Sequence, residues 1–590
     1  MLEKYIAAAR REVKADLVLK NATFADVFTG KIRKGDIAVV GEKIVGTGEY
    51  DGKEEIDCAG LTVLPSYIDG HVHIESSQLS PEEFAALVVP RGTTTVIADP
   101  HEITNVCGTS GCEYISKASK NVPLDVMLQL PSCVPATPFE TSGAILSGKD
   151  IEKNIAKDYI FGLGEFMNYP GVINADPDVI RKLEAVHAAG KIIDGHAPDV
   201  CGYDLNAYLC GGISTDHECG SGEEIEEKIS KGMYVHIRHG SSTRNLGNAK
   251  FITKENMRRF ILCTDDRHAA DLKEKGHIDD ALRKLVASGL DPVTAITCAT
   301  LNCAECYGLK WRGAIAPFYL ADLVAVDDLK NFNAKLVFKS GKLVAKDGKP
   351  LFDTSKRYLP ASVLNTVHLK EMTADDFILT LKGKRAKAMT IVPGGVVTGC
   401  EIAEVEIKDG DVSVAGTDLL KMAVVERHKM TGNIGKGLLK GYGFKGGAMG
   451  ITIAHDSHNI ILLGDDNESM ARAANRLKEI GGGMVIVERC PVIQPDTECH
   501  SERSEESHSY AYNVYSLTLD IAGLMSSRDA ESLQRDSRAL IERAHAMGVK
   551  REYEAFMSLA FTSLAVIPKL KLLDTGLFDV EKFAFTDINA

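Results

Sequence analysis

The 590-residue sequence has no apolar run long enough to cross a bilayer. Its first twenty residues, MLEKYIAAARREVKADLVLK, lack the apolar core and small-residue cleavage site of a secretory signal. A cytoplasmic protein with no membrane partner is expected. Positive charge is in deficit: 68 Lys and Arg against 82 Asp and Glu give a formal net charge of −14. That balance repels a polyanion at long range and leaves no basic footprint for nucleic acid. The 14 cysteines are scattered singly through apolar stretches, as at Cys133, Cys201, Cys263 and Cys298, and form no disulfide framework. Cys303 and Cys306 in NCAEC have no second pair at metal spacing and read as helix-facing packing.

What is present is an ordinary globular composition, 44% hydrophobic and 25% charged, in a chain too long for one core. Short β-rich apolar runs alternate with amphipathic segments. Eight runs stand out: LTVLPSYIDGHVH, GTTTVIADPH, LDVMLQLPSC, YIFGLGEF, KIIDGHAP, GGISTDHE, YVHIRHG and FILCTDD. Between them lie helical segments such as PEEFAALVVPRG, DPDVIRKLEAVHAAG and EEIEEKISKG, each closed by a glycine placed as a helix C-cap. Eight strands with helical crossovers over this length match an α/β fold of the (β/α)8 TIM-like barrel type, with a doubly wound open sheet as the competing topology.

The placement of polar residues favours the barrel. His71 and His73, Asp99 and His101, Glu165, His196, His217 and Asp265 all fall at the C-terminal ends of these runs, where barrel active sites are built. Residues two apart on a strand share a face, so His71 and His73 point the same way with Val72 turned into the opposite layer. Together with Glu165, His196, His217 and Asp265 they supply enough nitrogen and oxygen ligands for two divalent ions.

The ordered set IDGHVHIESS, GLGEFMNYPGV, DGHAP, STDHE and TDDRH resembles the amidohydrolase superfamily. With ADPHEITNVCG and GGAMGITIAHDSHNIILLGDD it resembles, within that superfamily, the bacterial adenine deaminases, over nearly the whole chain. Many relatives carry a carboxylated lysine at the fourth strand; Glu165 stands there, as in the adenine-deaminase-like variant. The resemblance implies a binuclear centre, usually manganese or iron with zinc also accommodated, that converts adenine and water to hypoxanthine and ammonia in purine salvage. It further implies at least a dimer.

On that reading a hydroxide formed between the ions attacks C6 of the purine, and Asp265 is both ligand and proton shuttle to the departing amine. Asp266 is its nearest rival, which spacing does not separate. Ring nitrogen N1 must gain a proton, and Glu102 is the candidate donor; the other reading of DPHE is a helix N-cap and turn with Asp99 capping. Asp99, His101, His239 and Ser241 are candidates for substrate contact, with His236, Arg238 and Ser242 nearby. The cytidine-type scheme, H-x-E then P-C-x-x-C, is rejected: HIE and CAEC lie over two hundred residues apart, the proline is missing, and the other ligands would be unused.

Residues 1–62 and 316–365 are expected to pair into one small β-sandwich flanking a barrel at 63–315, with an additional α+β domain at 366–590. Ser66, after the proline of PSYIDG, and Phe318 stand where relatives commonly have glycine, which concerns local backbone geometry. Gly441, Gly443 and Gly446 form a G-x-G-x-x-G, but GITIAHD after it reads as a strand and not the helix dinucleotide binding needs. His455, Asp456 and His458 read as a third metal site, as residues reaching the barrel mouth, or as turn residues. Residues 494–514, polar and without hydrophobic periodicity, read as a disordered insertion whose Cys499, His500 and His508 form no metal site. The competing functions are a hydrolase of cyclic amides or acetylated substrates on the same metals, and a non-catalytic scaffold, which typically loses ligands retained here.

Overall fold

The computed structural model describes residues 1–241, 243–491 and 510–590. The chain forms two compact units. The first comprises Met1–His101, Gly111–Cys133 and Leu146–Tyr358, the second Glu102–Ser110, Val134–Ile145 and Leu359–Ala590. Two short stretches, 102–110 and 134–145, thus join the C-terminal unit, which begins at Leu359.

All eight runs are strands: β1 (Tyr67–Val72), β2 (Thr93–Ala98), β3 (Asp125–Leu130), β4 (Gly162–Phe166), β5 (Ile192–Gly195), β6 (Thr215–Asp216), β7 (Tyr234–Arg238) and β8 (Phe260–Cys263). β1 to β5 pair in parallel in chain order, as do β6 to β8. The ends meet where Val72 bridges Asp265 in parallel, with the Asp265 N–H donating to the His71 carbonyl at 2.9 Å. Between β5 and β6, Gly195 donates its backbone N–H to the Thr215 hydroxyl at 2.8 Å, and a Cβ at Gly195 would lie 2.0 Å from the Thr215 carbonyl oxygen. The result is the parallel α/β barrel expected, its strands buried on both faces and rich in Val, Ile and Leu.

The helical segments form as their caps dictate. Ser80, Asp176 and Ser221 accept backbone N–H groups at the starts of Pro81–Val88, Pro177–Ala188 and Gly222–Ser230. Cys303 and Cys306 lie on the helix Leu301–Cys306; Cys303, with Tyr307, packs in the core below β1 and β8.

The two flanking pieces share one nine-stranded sheet, joined where Thr62–Pro65 pairs antiparallel with Leu323–Val326. Alternation along Ala15–Asp26 sends Leu17 and Leu19 into one apolar cluster and Val18 into another, as a sheet covered on both faces requires. Phe318 adopts φ +73, the left-handed conformation that explains why glycine suits that place.

The second unit is built on an eight-stranded sheet in which Ile434–Lys440, Gly447–Ile451, Ile460–Gly464 and Gly483–Pro491 are inner strands, with helix Asn467–Glu479 packed on it. A strand does follow the G-x-G-x-x-G, so that stretch is a turn between strands. Residues 510–514, expected within a disordered insertion, instead open an edge strand, Tyr510–Thr518, paired antiparallel with Gly483–Pro491. The remainder of that expected insertion, with Cys499, His500 and His508, lies outside the described residues, as does Ser242.

Candidate active site

The six ligands proposed from sequence converge at the C-terminal rim of the barrel. His71 and His73 share a face, their Nε2 atoms 3.2 Å apart. His196 Nδ1 lies 3.1 Å from His217 Nε2, and the His217 ring stacks on His71 with centroids 4.4 Å apart. Glu165 spans the group. Its Oε1 lies 3.3 Å from His73 Nε2 and 3.2 Å from His101 Nδ1, and its Oε2 lies 3.0 Å from His196 Nδ1 and 3.1 Å from His217 Nε2. Asp265 turns Oδ1 to His73 Nε2 at 3.1 Å.

Imidazole nitrogens facing one another at 3.1–3.2 Å have lone pairs that a cation between them would satisfy, and both pairs converge on carboxylate oxygens. Hard and borderline nitrogen and oxygen donors of this kind suit divalent ions. Ligand atoms of His71, His73 and Asp265, of His71, Glu165 and His217, and of His196, His217 and Glu218 form groups each within 4.8 Å. The donor set therefore fits a divalent metal.

Surrounding residues orient these ligands, as second contacts at metal sites do. His73 Nδ1 pairs with the Asp99 carbonyl at 2.8 Å. The Asp99 carboxylate accepts the Glu165 backbone N–H at 3.0 Å, an approach open only because residue 164 is glycine: a Cβ there would lie 2.2 Å from Asp99 Oδ2. His71 Nδ1 lies 3.5 Å from Asp194 Oδ2, and Tyr307 donates to Asp194 at 3.1 Å. Asp265 itself sits at φ +57, a strained position for a residue with a side chain, held between the His71 carbonyl and the His73 N–H. Asp266 turns instead to the Ser76 hydroxyl, which separates the two neighbours that spacing did not.

The electrostatics follow from burial and pairing. Burial alone would push the Glu165 carboxyl up, but hydrogen bonds from His101, His196, His217 and His73 outweigh it and hold it well below its ordinary value. Asp265 is likewise held low against its burial, first by the Arg238 guanidinium and then by His73. Burial lowers the His196 pKa, but the Glu165 hydrogen bond together with the charges of Glu218, Glu165 and Asp216 outweighs it and raises the group to about 9. His236, buried on β7 with its Nε2 3.5 Å from the Tyr307 hydroxyl, is lowered to about 3 by burial.

His101 joins the cluster through Glu165, whereas His239 and Ser241 do not. His239 Nε2 pairs with Asp280 at 2.7 Å, and Ser241 donates to Asp271 at 2.7 Å. Sequence reasoning missed Asp194, although it lies on β5 two residues before His196, and it missed Glu218, the neighbour of His217. Arg238, considered near the purine, ties Glu218 to Asp265. Glu102 belongs to the second unit, where His455 Nδ1 lies 2.9 Å from Oε1 and His458 Nε2 contacts Oε2.

Residues 62–344 match the amidohydrolase family, and residues 395–494 and 511–584 match the adenine deaminase C-terminal domain. The "Adenine deaminase" of Clostridium acetobutylicum is 43% identical over 587 residues, covering 99% of each chain. The chain belongs to the adenine deaminase family. "Adenine deaminase 2" of Desulfotalea psychrophila is 44% identical, covering 100% of this chain and 99% of the relative. The "Adenine deaminase" of Nitratidesulfovibrio vulgaris strain DP4 is 43% identical with 100% and 99% covered. The amidohydrolase match agrees with the barrel and implies the divalent metal that the donor set fits. The break in the C-terminal match, 495–510, falls in the polar stretch expected to be an insertion. Among the described residues no helix is long and apolar enough to cross a membrane.

Proposed function

We propose that this protein hydrolyses adenine to hypoxanthine and ammonia, in purine salvage in the cytoplasm, as a dimer or larger homo-oligomer. The observation that carries the reading is Glu165: one carboxylate touching four imidazoles, in a chain whose full-length relatives bear the name adenine deaminase. His71, His73, Glu165 and Asp265 would hold one divalent cation, and Glu165, His196 and His217 a second, manganese in first place with iron or zinc as alternatives. Bound there, such ions lower the pKa of water from about 15.7 to about 7 and offset charge that builds on the substrate.

The chain's own residues then divide the work. Glu165 keeps the two halves of the donor set at fixed spacing. Asp265 accepts a proton from the attacking water and passes it to the departing amine, which needs reach more than an unusual pKa. Glu102, the residue after His101 in the chain, protonates N1 as C6 becomes tetrahedral. The barrel strands fix Glu165 and Asp265 on one rim, so their reorganisation during the reaction is small.

The test is ammonia release from adenine by protein purified without chelators and reloaded with manganese, with adenosine and cytosine as controls. Turnover of adenine alone supports the reading. A metal-loaded protein inert toward adenine redirects it to cyclic amides or acetylated substrates.

A further inference from the structure

The cluster of Glu102, His455 and His458 has the composition of a third metal site, its ligand atoms lying within 4.8 Å of one another. Its geometry is of another kind. In the barrel, ring nitrogens face ring nitrogens. Here each imidazole faces one carboxylate oxygen: His455 Nδ1 meets Oε1 at 2.9 Å and His458 Nε2 meets Oε2. An imidazole N–H donating to a carboxylate oxygen satisfies such a pair without a cation.

The tautomer of His458 is legible. Its Nδ1 accepts the backbone N–H of Ala454 at 3.2 Å, so a neutral ring carries its single proton on Nε2 and donates to Glu102. The ring is fully buried, and burial lowers its pKa to about 4, which keeps it neutral near pH 7. A metal on Nε2 would need the proton moved to Nδ1, against the Ala454 N–H. With Oε2 committed as acceptor, an acidic proton on Glu102 resides on Oε1, the oxygen facing His455.

The loop carrying both histidines is fixed in the second unit. The His455 ring stacks on Phe561 with centroids 4.6 Å apart, and the His455 backbone N–H donates to the Ala560 carbonyl at 2.9 Å. Asn459 donates to the Thr141 carbonyl at 2.8 Å, and the buried Arg427 donates to the carbonyls of His458 and Ala522.

We propose that His458, with His455, is a positioning residue: the C-terminal unit holds the Glu102 carboxyl in one orientation and directs its exchangeable proton to Oε1. This rests on the reading of Glu102 as proton donor to the ring.

The test compares Glu102→Gln, His458→Ala and His458→Gln in manganese-loaded full-length protein, with wild type. In His458→Gln the amide N–H2 can take the place of Nε2–H. A positioned general acid contributes about 10²–10⁴ in rate, so His458→Ala should lose roughly 10–100-fold in kcat with KM within about 3-fold, and His458→Gln should recover most of that. Bound metal should equal wild type in both His458 variants, and nitrogen NMR of histidine-labelled wild type should show His458 as the Nε2–H tautomer. Unchanged kcat in His458→Ala beside an inactive Glu102→Gln would overturn the clamp. Equal losses in both His458 variants, or one metal equivalent lost on His458→Ala, would also overturn it, the latter in favour of a metal site. Full turnover in Glu102→Gln would instead overturn the donor reading, leaving the tautomer measurement to judge the clamp.

Discussion

Arg238 donates to Asp265 Oδ2 at 2.7 Å while the other oxygen of that carboxylate faces His73. The guanidinium thus reserves one oxygen and leaves Oδ1 toward the histidine cluster, and its remaining contacts bind Glu218. Asp265 sits at a left-handed φ, so its orientation is fixed from both backbone and side chain.

Arg238→Met should therefore lower metal affinity or turnover by about 10–100-fold, the range for residues that orient metal ligands. Arg238→Lys should recover only part, because a point charge cannot make the forked contact to both carboxylates. Metal analysis together with steady-state kinetics reads the outcome; wild-type values for both in Arg238→Met would remove the role given to it.

Glu165→Gln should lose bound metal and turnover together. The amide keeps the shape of the side chain but surrenders the charge that both halves of the cluster share, and its NH2 group would confront an imidazole nitrogen. Full activity at full metal content would break the centre described here.

Lys228 is wholly buried and donates to Asp216 at 2.8 Å and to the Ala197 carbonyl at 2.6 Å, residues adjacent in the chain to His217 and His196. Lys228→Met leaves the buried Asp216 carboxylate without its lysine counter-ion, a change that costs about 3–5 kcal/mol. Urea unfolding at pH 7 measures it. Burial would raise the Asp216 carboxyl, but Lys228 and His217 hold it well below its ordinary value. Its folded pKa being depressed, this stabilisation is present above the unfolded value of about 3.9 and is lost as pH falls from there through the lower folded value. Wild type should lose stability over that acidic window more steeply than Asp216→Asn, which has no carboxyl to titrate.

The barrel and the convergence of the six donor residues at its rim were legible because both obey short periods. Val72 between His71 and His73 reports a strand, and donor side chains at successive strand ends follow from where barrels build their sites. Position along a strand does not report partners: His239 has the same rim placement as the ligands, yet pairs with Asp280 41 residues later. Asp265 and Asp266 were inseparable by spacing because a backbone turn to positive φ, invisible in sequence, decides which one faces His73. The partners of Glu102 are some 350 residues away, beyond any local signal.

The edge strand Tyr510–Thr518 shows the same limit and yields the last prediction. Its first five residues, YAYNV, directly follow a charged, serine-rich stretch, and that composition masked an aromatic and polar alternation suited to a half-exposed edge. Tyr510 to Val514 pair with Pro491 to Val487, and the Arg489 guanidinium lies over the Tyr510 ring at 5.2 Å. Removing 495–508 spares every one of these pairs and should leave adenine turnover and the melting temperature close to wild type. Extending the deletion through 514 strips the partner strand from 487–491 and exposes a hydrogen-bonding edge next to the buried Val485, Ile486 and Val487. That longer variant should melt several degrees lower and associate at high concentration, as read by calorimetry and light scattering. Equal melting temperatures for the two deletions would mean that the 510–514 pairing contributes nothing to the stability of the unit.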